Sequence, residues 1–216
     1  MEDTWERIHQ RCGHRVDRQP HVPEWDRWNW RCPGCGAHGK SPLRPVGPCS
    51  TCGTPVDSER EEAILDLEVQ SVGHPRQFLD ITVRYGVPGD ADGLRAAAEH
   101  DGAVNRRAES DKHSRYPRSR APWKMTPLAL ETFGRHGTKA LNYLRRLARE
   151  QLQHSLPDAD DASSLARTQV QQWGSEISVA LQRATARQLR SAAGTNGVGS
   201  YRRRVVLRVA LGCAGV

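Results

Sequence analysis

Two short cysteine knuckles, CPGCG at 32–36 and CSTCG at 49–53, constrain this chain more than any other feature of its sequence. A two-residue gap lets both sulfurs of a pair reach one ion at about 2.3 Å, and the following glycine lets the backbone turn beneath them. Positions 36–48 form an ordinary ribbon loop between the two pairs. Cys32, Cys35, Cys49 and Cys52 are therefore expected to hold one closed, structural Zn²⁺. The zinc would replace the core that a segment of Gly, Pro and Cys cannot build. The other reading of such pairs, redox dithiols, requires a helical pattern after each pair, and neither has one. Cys12, His14 and His38 are donors by type alone, and a lone His or Cys is more often a packed or surface residue.

The composition shifts from Ser58 onward. AILDLEV (63–69) and FLDITV (78–83) are short, β-branched apolar runs separated by SVGHPRQ, and they read as an antiparallel pair. A helix or broken helix follows from about 93 to 116, weakened at Gly102 and closed by Pro117 and Pro122. MTPLALETFG (125–134) reads as a third strand. Leu141, Leu144, Leu147, Ala148 and Leu152 form the stripe of an amphipathic helix. PDADDASS then caps a long helix with Leu165, Trp173, Ile177, Ala180, Leu181 and Ala184 facing inward and Gly194 as its stop. These boundaries divide the chain into a zinc-ribbon-like module at 1–57, a core at 58–155, a helical extension at 156–194 and a basic tail at 195–216.

The net charge is +7 and the isoelectric point about 9.4, a balance that suits polyanions such as nucleic acid, DNA or RNA, or acidic membranes, the alternative being a generally basic surface. No acid follows Glu176, whereas Arg183, Arg187, Arg190, Arg202, Arg203, Arg204 and Arg208 do, so the C-terminal region is expected to add phosphate affinity, the alternative being a basic tail of no consequence. MEDTWERIHQ has charges and no apolar run, and no stretch approaches the roughly 18 apolar residues of a membrane helix. These features place the chain in the nucleus or cytoplasm, not among secreted proteins, with its cysteines as thiolates or metal ligands.

Asp66 and Asp80 each sit between aliphatic residues in the paired strands, and Glu131 repeats the pattern in the third. A carboxylate among buried aliphatics is costly unless its charge is matched. Carboxylates on neighbouring strands can share a divalent cation, so Asp66, Asp80 and Glu131 are candidate Mg²⁺ ligands. The alternative is that these acids end strands or pair with arginines. Glu109, Lys112 and Tyr116 share one face of the polar helix at i, i+3 and i+7. A lysine delivered beside metal-bound carboxylates would stabilise charge developing on a phosphate.

Asp66, the gap to Asp80-Ile81-Thr82-Val83, and Lys112 four residues before Tyr116 together resemble the restriction-like endonuclease domain of site-specific non-LTR retrotransposons. That domain is a branch of the PD-(D/E)XK nucleases with a cysteine-rich zinc motif upstream. The resemblance covers about residues 60–150. Leu65 replaces the usual proline, and Thr82 stands where the superfamily has lysine, so Lys112 would substitute from the helix. The zinc motif has four cysteines rather than a cysteine–histidine mixture. The resemblance implies an α/β restriction-endonuclease-like core, with a short central sheet flanked by helices, an N-terminal zinc ribbon and a helical C-terminal extension. It implies Mg²⁺-dependent nicking of DNA at a retroelement target, with Asp66, Asp80, Lys112, Tyr116 and Glu131 catalytic. It also implies a reverse transcriptase of the same element as partner. The rival function is a nucleic-acid-binding or assembly module whose nuclease core has decayed.

Overall fold

The computed structural model describes residues 1–71, 73–155 and 162–194. Its elements, in chain order, are α1 (Glu2–Arg11), β1 (Arg15–Arg18), β2 (Arg27–Arg31), β3 (His38–Ser41), β4 (Asp57–Glu61), β5 (Leu67–Gln70), β6 (Gln77–Arg84), α2 (Ala91–Glu99), α3 (Ala103–Arg115), β7 (Lys124–Glu131), α4 (Thr138–Ser155) and α5 (Ala162–Gly194). The expected C-terminal tail, its arginines from 202 on, and most of the PDADDASS loop lie outside the described residues.

Four strands form the main sheet in the order β1-β5-β6-β7. β5 and β6 pair antiparallel with Leu67 opposite Leu79, the hairpin expected from the sequence. β6 and β7 run parallel, Asp80 opposite Pro127 and Arg84 opposite Glu131. A parallel neighbour needs a long crossover, and α2 with α3 supplies it. The crossover helix is broken at Gly102, which caps α3 in the left-handed conformation at φ 70°. Lacking a Cβ, glycine adopts that conformation without strain.

Strand alternation decides what each face of the sheet meets. Leu67, Val69, Leu79, Val83, Leu128 and Leu130 point to one side and pack with α1, α4 and α5 around Trp5, Ile8, Leu144, Leu147, Trp173, Ile177 and Leu181. The opposite side of β6 and β7 carries Asp80, Thr82 and Glu131 and is covered by α3. A second apolar cluster of Val22, Trp25, Leu65, Phe78, Tyr116 and Met125 closes the end of this side. Leu165 is 42% exposed, so it does not join the inward stripe expected for α5.

Three elements differ from expectation. Residues 1–18 do not belong with the cysteine module. Trp5 and Ile8 of α1 are fully buried in the main core, and β1 pairs with β5. The run 63–65 leaves the main ladder, and only Asp66 still donates its amide to the Leu79 carbonyl of β6 at 3.2 Å. Instead Val22 donates to Ala63, Leu65 to Pro20 and Gln19 to Asp66, all backbone to carbonyl at 2.9–3.1 Å. The cysteine segment also has its own sheet, β3-β2-β4. That sheet is tied to the core through Asp26, which accepts from Arg60, His21 and the Ala63 amide. Arg27 adds a second tie by donating to the Ser114 and Arg115 carbonyls at the end of α3. Among the described residues, no helix is long and apolar enough to cross a membrane.

Candidate active site and metal centre

The two knuckles fold alike. Gly36 N–H returns to the Cys32 carbonyl at 3.0 Å and Gly53 N–H to the Cys49 carbonyl at 2.8 Å, with both glycines at positive φ (77° and 71°). The sulfurs converge. Cys32 and Cys52 lie 3.4 Å apart, Cys35 and Cys49 3.7 Å, and all four within 4.8 Å of one another. A tetrahedron of thiolates with metal bonds of about 2.3 Å requires sulfur separations of about 3.8 Å, so the cluster fits a zinc ion. The Thr51 and Cys52 amides pull the Cys49 thiol down to about 6, whereas at Cys35 the Ala37 amide is outweighed by the neighbouring thiols, which push it up to about 12, so one proton is shared unevenly among crowded sulfurs. Among the described residues this is the only cluster of three or more such donors. Cys12 instead packs against the main core. His14 faces His9, ring nitrogen to ring nitrogen at 3.0 Å. His38 turns to the Gly36 carbonyl. Thr54, whose hydroxyl is 3.4 Å from Cys52 Sγ, is a support that a motif read on cysteine spacing passes over.

The second constellation assembles on the α3 side of the sheet. Asp80, at the centre of β6, accepts from Lys112 Nζ at 2.6 Å. Asp66, at the entry to β5, accepts from the backbone N–H of Ile81, the residue after Asp80. Burial, and then the charge of Asp80, push the Asp66 carboxyl up to about 8. Two carboxyl groups are therefore crowded into one poorly solvated place, with one ammonium between α3 and the sheet. Tyr116 closes the site from the apolar side. Its ring is 6.0 Å from Lys112 Nζ and packs on Trp25, and burial with the nearby Asp80 raises its phenol to about 12. It therefore stays a neutral phenol at any physiological pH.

Thus Asp66, Asp80, Lys112 and Tyr116 come together, and Glu131 does not. Glu131 lies opposite Arg84, four residues beyond Asp80 along β6, or about 13 Å of strand. There it accepts from Asn105 Nδ2 at 3.3 Å, 4.0 Å from Arg135, with its acidity weakened first by burial. Flanking residues alone could not reveal this, because the position of Glu131 depends on the parallel register. Glu109 also leaves the group, accepting the Lys139 amide at the start of α4. Thr82 was noticed in the sequence only as the residue standing where the superfamily has lysine, not for its place on this face. It follows Asp80 by two, hence on the same face, and its buried hydroxyl has no hydrogen-bond partner among the described residues. Strand parity was the signal that could have found it.

No protein-family model, curated protein or solved structure matches this chain.

Proposed function

We propose that this chain is a metal-dependent endonuclease that nicks DNA, with a structural zinc module ahead of its catalytic core. The observation that carries the reading is the meeting of Lys112 with Asp80 at 2.6 Å beside the strained carboxyl of Asp66. These residues arrive in the order the retroelement nuclease resemblance implies: Asp66 entering one strand, Asp80 on the next, the lysine–tyrosine helix, then a further strand. Asp66 and Asp80 would hold Mg²⁺, which supplies Lewis-acid polarisation of a phosphodiester and a water of lowered pKa. Glu131 is too far along the sheet to join them.

The protein's own groups have separable tasks. Asp80 anchors Lys112 by a charged hydrogen bond and so fixes its ammonium at the α3–sheet seam. Were Asp80 to hold a cation, Lys112 would be the group left to offset charge developing on the phosphate. Tyr116, itself part of the second apolar cluster, bounds the ammonium on that side, with its ring 6.0 Å away. The cysteine sheet, tied by Arg27 to the last turn of α3, stiffens the helix that carries the lysine.

The second reading is a nucleic-acid-binding module with a decayed nuclease core. It is favoured by Thr82 at the position where the superfamily has lysine and by the ion pair that already neutralises Asp80. Mn²⁺ binding separates the two. The zinc-loaded full chain should take up one Mn²⁺ and Asp80→Ala none. A wild-type chain that binds no Mn²⁺ at millimolar concentration would support the decayed module.

A further inference from the structure

We propose that one face of the cysteine-held sheet binds an unpaired stretch of DNA, stacking bases on Trp28 and Trp30. The choice of DNA rests on the nuclease reading, whereas the stacking rests on the sheet itself.

Trp28 and Trp30 alternate along β2, so both indoles emerge on the same side. Their cross-strand partners share that side. Trp28 stands between Ser41 and Arg60, and Trp30 between Gly39 and Ser58. Glycine and serine are too small to bury an indole. Both tryptophans are accordingly half-exposed and neither belongs to the apolar clusters of the core. Trp30 lies flat on Gly39: a Cβ added there would be 2.9 Å from the ring. One ring face is thus covered by backbone, leaving the other for a planar ligand.

Charge is divided between the two sides of this sheet. Its three acids, Asp57, Glu59 and Glu61, pair in register with Arg31, Asn29 and Arg27 on the opposite side. The tryptophan side carries no carboxylate from any strand of the sheet. It holds Arg60, already bound to Asp26, and receives Arg44, whose guanidinium stands 5.4 Å from the Trp28 ring centroid. A flat aromatic surface whose nearest acid, Asp26, is already paired with Arg60, and with Arg44 resting over the Trp28 ring, is the chemistry that recognises single strands, a base displacing Arg44 from that ring and phosphate meeting the arginine. Duplex DNA hides its base faces and would gain only the phosphate contact. The sheet is fastened to the final turn of α3, the turn after Lys112. A strand opened at the proposed cleavage site would therefore have the platform close by.

The test is fluorescence anisotropy of a labelled oligothymidine with the zinc-loaded full chain, in buffer without Mg²⁺ so that cleavage plays no part. The single strand should bind at least tenfold more tightly than a duplex of equal length, or than oligouridine, with quenching of tryptophan emission. Trp30→Ala and Trp28→Ala should each weaken it about tenfold, and Trp30→Phe should restore most of the loss. Should an alanine variant lose its zinc, Arg44→Glu on the exposed loop asks the same question without touching the sheet, and it should also weaken binding. Equal affinity for duplex, preference for the RNA, or alanine variants that keep zinc and bind within twofold of wild type would overturn the proposal. The duplex and alanine outcomes test the stacking surface whether or not the chain nicks DNA, and only the comparison with oligouridine rests on the nuclease reading.

Discussion

Replacing Lys112 by methionine should destabilise the protein more than any other single change on the surface of α3. The side chain of Asp80 is 7% exposed and that of Lys112 22%, and their charges meet at 2.6 Å. In surroundings of effective dielectric about 20, such a pair attracts by about 6 kcal/mol. Most of that offsets desolvation, so the quantity to be measured is the cost of leaving one partner alone. Removing one member of a buried pair costs about 3–5 kcal/mol, and the partial solvation of Lys112 puts this case near about 3. Lys112→Met strands a carboxylate beside Asp66. Asp80→Asn keeps an acceptor for the ammonium and should cost about half as much. The double variant removes both charges and should lie within about 1 kcal/mol of wild type. Urea unfolding followed by tryptophan fluorescence gives the four free energies of the cycle. If Lys112→Met changes stability by less than about 0.5 kcal/mol, or the double variant loses the sum of the singles, the ion pair is not the organising contact of this site.

Stability of the metal-free protein should also depend on pH through Asp66. An acid whose pKa is raised on folding leaves stability fully present below its unfolded pKa of about 4. That contribution is lost as pH rises from there through about 8. The slope should reach up to about 1.4 kcal/mol per pH unit, and Asp66→Asn should flatten it. Urea midpoints between pH 5 and 9 check this, and a wild-type curve as flat as the variant's would contradict it. Cys32→Ser should lower bound zinc to near zero and loosen β2–β4 while the main sheet persists; hydrogen exchange reads both, and zinc-free protein with full protection there would refute it. Gly102→Ala should cost about 1 kcal/mol, because its left-handed φ of 70° disfavours a Cβ. A thermal midpoint equal to wild type would show that the break between α2 and α3 moves freely.

The features visible in the sequence were those carried by local pattern. The cysteine cluster, the β5–β6 hairpin, the broken crossover helix and the α4 stripe each have a spacing or a turn residue that announces them. What escaped was set by partners distant in sequence. α1 shows only Trp5 and Ile8 as apolar residues for its buried face and fills the rest of that face with Thr4 and His9, too thin a stripe to read. β1 (RVDR) has no alternation of its own and becomes a strand because β5 offers an edge. β3 and β4 of the cysteine sheet are polar and only β2, with Trp28 and Trp30, alternates, so these strands do not announce themselves by an apolar face. Asp66, Asp80 and Lys112 could be grouped in advance because two neighbouring strands and one helix face bring them together. Glu131 was misplaced because the parallel register of β7 shifts it four residues along.

Conversion of supercoiled plasmid to the nicked form in Mg²⁺ or Mn²⁺ tests the central claim most directly, with wild type beside Asp80→Ala and Glu131→Ala. Wild type should nick, Asp80→Ala should lose activity entirely, and Glu131→Ala should keep most of it, since its carboxylate lies about 13 Å of strand from Asp80. A wild-type chain that leaves the plasmid supercoiled, or an Asp80→Ala variant that nicks as fast as wild type, would contradict the nuclease reading.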